Sequence, residues 1–180
     1  MMFDALLALC RDCAANVYGA RAPSPEYAES VARLLFGTAI QESGGLRWAR
    51  QIGFGPDRID GGWSWWQLER GSVADSTRRL SRYPALASRA AAWLFETSSA
   101  TPRWYDYQGP EGLMFLLWNW PRMACLFARL HYMRDARPVP EGLEEQAAYW
   151  KRVFNTRDGA GTPAQYVDMW RRHAAQTIGG

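Results

Sequence analysis

The chain has 180 residues and a formal charge of only +3, with 48% apolar residues. That is long enough for one domain with a sizeable core, too apolar for wholesale disorder, and too weakly charged to argue for a polyanion partner. Basic residues are almost all arginine, Lys151 being the one lysine, and tryptophan is abundant at 10.

Residues 2–18 read as a first helix with Phe3, Leu6, Leu7 and Cys10 on one side. Asp4 interrupts this apolar start, and neither a basic leader nor a cleavage site is evident, so no signal peptide is expected. Ser24-Pro25 is a helix start, serine as N-cap and proline in the first turn. The second helix runs to Glu42, and Gly44 or Gly45 ends it. Its apolar stripe passes through Val31, Leu34, Leu35 and Thr38, and Glu42 falls on the same face. Desolvation and the negative helix end both raise the pKa of a carboxyl group there, as a general acid requires. Rotation out to solvent is the other way to accommodate that glutamate.

Residues 46–64 are too glycine-rich for a regular element. Trp63, Trp65 and Trp66 follow closely, and at least one is expected to face a cleft or a neighbouring surface. Helical patterns continue over 72–82, 84–97, 110–120 and 122–134. The strongly apolar 110–120 segment reads as the central buried helix, broken at Pro121. Further helices span 141–154 and, from the Thr162-Pro163 start, 162–173. No convincing strand alternation exists and no segment can cross a membrane. The expected fold is all-α, with at most a small irregular hairpin near 46–64, in one domain over 1–180.

Cys10 and Cys13 form a C-x-x-C spacing, but no second pair accompanies it, Cys125 stands alone, and His131 and His173 are distant. No metal or cofactor is expected.

The stretch Ala39-Ile40-Gln41-Glu42-Ser43-Gly44-Gly45 resembles the E-S-G-G signature of the soluble-lytic-transglycosylase and goose-type lysozyme superfamily. Ser64-Trp65-Trp66-Gln67-Leu68 keeps the Gln-Leu of that family's next motif at the expected distance. Trp118-Asn119-Trp120-Pro121 is a faint counterpart of its aromatic-Asn motif. Ser64 and Pro121 stand where the family has glycines. The resemblance covers about residues 25–130, leaving a helical extension over about 141–175. Within the extension, Tyr149-Trp150-Lys151-Arg152-Val153-Phe154-Asn155-Thr156 and Gly159-Ala160-Gly161-Thr162 are similar to a pattern of lysozyme-like bacteriophage virion proteins.

The resemblance implies cleavage of the bond between N-acetylmuramic acid and N-acetylglucosamine in peptidoglycan. Glu42 would be catalytic acid and base, and Ser43 would orient it or touch substrate. Gln67 and Asn119 would hydrogen-bond N-acetyl sugars, while Trp65, Trp66 and Trp118 would offer flat faces to sugar rings. A hydrolysing lysozyme also needs a second carboxylate. Asp57 and Asp60 are the candidates, although Pro56-Asp57 and Asp60-Gly61 are also turn dipeptides. The implied partners are peptidoglycan glycan strands and other virion proteins, in a phage particle or in the host cytoplasm before assembly. The rival reading is a catalytically silent tail, neck or baseplate protein on the same fold. A nucleic-acid-binding role is disfavoured, because acids interleave the arginines. The 141–173 aromatics are expected to pack on the core.

Overall fold

In a computed structural model, residues 2–48, 61–96, 105, 109–156 and 159–174 are described. The fold is all-α. Eight α-helices occur among these residues: α1 (Met2–Asn16), α2 (Pro25–Glu42), α3 (Arg70–Arg82), α4 (Pro84–Phe95), α5 (Gly109–Asn119), α6 (Pro121–Tyr132), α7 (Leu143–Trp150) and α8 (Pro163–His173). A π-helical turn over Lys151–Asn155 continues α7. No strand forms among the described residues; one isolated antiparallel bridge joins Trp63 and Leu68. Most of the 46–64 loop, with Asp57 and Asp60, lies outside the described residues.

Helix starts follow local chemistry. Ser24 caps α2 by accepting from the Tyr27 amide, with Pro25 next in line. Thr162 opens α8 with a full capping box, its hydroxyl accepting from the Gln165 amide while Gln165 accepts from the Thr162 amide. Pro84 and Pro121 open α4 and α6 at the first-turn position that proline tolerates.

The central element is α6 rather than α5, which corrects the expectation from apolar content. Every side chain from Met123 to Tyr132 is buried. On α5, Leu113, Met114 and Leu117 are buried, but Phe115 and Trp118 are 60% and 46% exposed. α5 is apolar on all sides, so its composition does not choose a face, and it packs on α3 and α6 at the margin of the core.

Helix α2 is held against four neighbours. It lies along α1 and α8 and touches α6 and α7. Gly37 makes the α8 approach possible: a Cβ there would lie 2.7 Å from Cζ of Tyr166 and 2.8 Å from the Trp170 ring. Tyr166 donates to the Leu34 carbonyl of α2, and the Thr38 and Tyr132 hydroxyls meet at 2.7 Å. These buried polar contacts fix the rotation of α2, and thereby the direction in which Glu42 leaves its end.

Candidate active site

Helix α2 stops in a run of left-handed residues, Gly44 (φ 61°), Gly45 (φ 79°) and Leu46 (φ 63°). The Gly45 amide donates back to the Ile40 carbonyl at 2.8 Å. A Cβ on Gly45 would come 2.9 Å from the His173 ring, so glycine is required there for both conformation and space. Ser43 is fully buried within this turn. Its hydroxyl donates to the Ala39 carbonyl and accepts from the Leu46 amide at 2.8 Å. Both capacities are spent on backbone, so Ser43 shapes the turn and is not available to substrate.

Glu42, the last residue of α2, lines a cleft of about 840 Å³. The walls come from the α2 end, the Gln67–Asp75 stretch entering α3, His131 and Arg134 at the end of α6, and the 150–161 segment. The carboxyl group is held at one oxygen: Trp150 donates its indole N–H to Oε1 at 2.9 Å. Burial pushes the Glu42 pKa up to about 7, and the charge of Glu69 acts in the same direction. The Trp150 hydrogen bond and Lys151 oppose the rise by favouring the anion. Near neutral pH the group therefore populates both donor and acceptor forms, the condition under which one residue serves as acid and then base.

Trp150 is itself immobilised. It is fully buried, its ring sits 5.3 Å from that of Tyr166, and a Cβ on Gly161 would strike it at 2.6 Å. Lys151 ties the wall together by donating to Asn155 Oδ1 at 2.8 Å and to the Gly159 carbonyl at 2.6 Å. A π-helical turn and a Thr156 at φ 64° complete this irregular wall, which also presents Phe154, Asn155 and Gly161 to the cleft. Such irregular backbone clusters at functional sites.

Gln67 shares the cleft with Glu42. Its amide nitrogen donates to the Ser64 carbonyl at 2.8 Å and the Trp48 carbonyl at 3.2 Å, leaving Oε1 without a partner. Its backbone is left-handed (φ 48°), as is that of Ser64 (φ 68°). The Trp63–Leu68 backbone pair, 2.9 and 3.0 Å, pins this tight reversal.

The other expected sugar-binding residues stand elsewhere. Trp66 is fully buried, donating to the Leu35 carbonyl of α2 at 2.8 Å; it supports α2 from behind. Trp65 is partly buried and packs on the core, so the cluster of tryptophans is core rather than cleft wall. Trp118 is exposed and edge-on to Trp63 at 5.4 Å, and Asn119 donates to the Phe115 carbonyl of its own helix. Neither lines the cleft with Glu42.

The cleft also holds residues that sequence reasoning missed. Trp48, 51% exposed, supplies an aromatic face in the cleft. Glu69 and Asp75 are the further carboxylates lining it among the described residues, and Asp75 pairs with Arg134 at 3.2 Å. His131 is buried beside Arg134, its Nε2 3.0 Å from the Val153 carbonyl and its Nδ1 without a partner. Burial and the Arg134 charge push its pKa down to about 4, so it is neutral. Trp150 belonged to a motif visible in the sequence, but its reach to Glu42 had no local signal. Among the described residues, no group of His, Cys, Asp and Glu could hold a metal ion, and no helix is long and apolar enough to cross a membrane. Cys10, Cys13 and Cys125 are buried as free thiols.

No family model, curated protein or solved structure matches the chain.

Proposed function

We propose that the protein cleaves peptidoglycan glycan strands at the bond between N-acetylmuramic acid and N-acetylglucosamine, with Glu42 as the acid and base. The observation that carries this reading is the desolvated Glu42 carboxyl on the wall of an open cleft, its pKa raised to about 7 and one oxygen held by Trp150. Among the described residues the other oxygen has no hydrogen-bond partner, which leaves it for a substrate.

In the transglycosylase form of the reaction, Glu42 gives its proton to the glycosidic oxygen as the bond from that oxygen to C1 breaks. The muramic 6-hydroxyl oxygen then bonds to C1, and its proton returns to Glu42. No external nucleophile is consumed, and the intramolecular hydroxyl has a high effective concentration. In the hydrolytic form, water replaces the 6-hydroxyl, and a second carboxylate aligns it. Glu69 lines the cleft and is the described candidate for that role, alongside Asp57 and Asp60. Trp48 offers an aromatic face for a sugar ring, and Gln67 presents amide chemistry beside the acid. Delivery in a phage particle rests on the resemblance of the 149–162 segment to virion proteins.

One observation favours the silent structural alternative: Trp65, Trp66, Trp118 and Asn119 all stand off the cleft. A digest of purified peptidoglycan by the wild type and by Glu42→Gln, read by mass spectrometry, separates the readings. Anhydro-muropeptides from the wild type alone are expected. Reducing-end products would assign a hydrolase. Absence of products from a folded wild type would overturn the enzyme reading and leave the structural one.

A further inference from the structure

A second cavity, of about 370 Å³, opens between the α1–α2 connection, α3, the end of α6 and the segment leading to α7. Four guanidinium groups line it, those of Arg21, Arg79, Arg129 and Arg137, against one carboxylate, Asp135. Asp135 is already engaged by Arg137 at 2.9 Å and by Arg152 at 3.1 Å. That leaves Arg21, Arg79 and Arg129, and none of them pairs with a carboxylate among the described residues.

Arg129 is the telling member. It is 5% exposed, and its Nε donates to the Val17 carbonyl at 3.2 Å. The Val17 carbonyl just past the end of α1 and the Tyr27 hydroxyl are neutral partners that do not balance a full buried charge, and a buried charge without a counter-ion is costly. The end of α1 is, moreover, served separately: Arg89 donates to the carbonyls of Tyr18 and Gly19. Arg79 adds a buried Nε that bonds to nothing, its guanidinium lying 5.2 Å over the Tyr83 ring. Tyr27 and Tyr149 line the same cavity and bring phenolic hydroxyls to it.

We propose that this cavity is a binding site for a phosphate group. Guanidinium forks match phosphate oxygens in bidentate geometry, and such charge-assisted bonds are the strong ones. Three positive charges without a carboxylate partner among the described residues suit a dianion better than a single carboxylate. Arg79 also borders a smaller hollow with Arg78, Arg82 and Arg134, where Asp75 pairs with Arg78 and Arg134 and leaves Arg79 and Arg82 as the cations there without a carboxylate among the described residues. The assignment does not depend on the chemistry of Glu42.

Isothermal titration at low ionic strength with inorganic phosphate, dimethyl phosphate and acetate tests it without any need for wall-cleaving activity. Phosphate is expected to bind one-to-one, and Arg79→Gln and Arg21→Gln are each expected to weaken it about tenfold. Arg129→Met should weaken it further wherever circular dichroism finds that variant folded; the two rim variants keep the test decisive if it unfolds. Dimethyl phosphate binding as tightly as inorganic phosphate would identify the natural group as a phosphodiester within a polymer. Its exclusion would identify a terminal phosphate monoester. Absence of saturable heat, an affinity unchanged in both rim variants, or acetate binding as tightly as phosphate would overturn the proposal.

Discussion

The Trp150 indole and the Glu42 carboxyl form one hydrogen-bonded pair, and the effect of each on the other can be measured. The hydrogen bond from Trp150 favours the ionised carboxylate, so removing the N–H while keeping an aromatic ring should raise the Glu42 pKa above its value of about 7. Trp150→Phe is therefore expected to move the Glu42 titration to higher pH by about one unit, roughly the worth of one hydrogen bond to a charged group. Carbon-13 NMR of the glutamate carboxyls reads this directly. An unchanged or lowered pKa in a folded Trp150→Phe would show that the indole does not tune the acid.

At the scale of elements, the site depends on how closely α8 approaches α2. Gly37 faces the Tyr166 and Trp170 rings at distances that no Cβ tolerates. Gly37→Ala gains helix propensity but must push α8 away, and overpacking of this kind costs about 1–3 kcal/mol. A lowered denaturation midpoint is the expected result; an unchanged or raised one would mean that α8 yields freely. Elements were the most legible part of the chain, because their boundaries are written locally. Ser24-Pro25, Pro84, Pro121 and Thr162-Pro163 each open a helix, and the glycine pair at 44–45 closes α2. Periodicity did not reveal which helix lies at the centre. A helix with a continuous apolar run such as Leu113–Trp118 of α5 has no marked face, whereas α6 is buried despite carrying Arg129 and His131, each of which finds a backbone carbonyl. The position of Glu42 was legible for the same local reason: it shares a stripe with Val31 and ends its helix. Trp150 was not, since 108 residues separate it from its partner and only the complete fold brings them together.

Across the whole molecule, two buried titrating groups act against each other. Glu42 has a folded pKa near 7 against 4.5 unfolded, so its ionised form destabilises the fold by about 3 kcal/mol at pH 8, and this cost disappears as pH falls from 7 through 4.5. His131 has a folded pKa near 4 against 6.5 unfolded, so it withdraws about 3 kcal/mol of stability as pH falls from 6.5 through 4. Between about pH 4.5 and 6.5 the two trends offset. Glu42→Gln should consequently be more stable than the wild type at pH 8, equal to it near pH 4, and steeper in its loss of stability on acidification. Urea denaturation at several pH values measures the difference. A stability gap independent of pH would rule out a raised Glu42 pKa.

The single lysine has a consequence for probing the molecule. Lys151 carries the only side-chain amine in the chain, and it is bonded into the wall behind Trp150 through Asn155 and the Gly159 carbonyl. An acylating dye that reacts at side chains would place its one such reporter beside the tryptophan that touches the acid, to be read apart from any label on an α-amino group by peptide mapping. The amine must first let go of both oxygen partners to react. Its labelling rate would thus clock how often Lys151 leaves Asn155 and Gly159, and quenching by Trp150 would report when it returns.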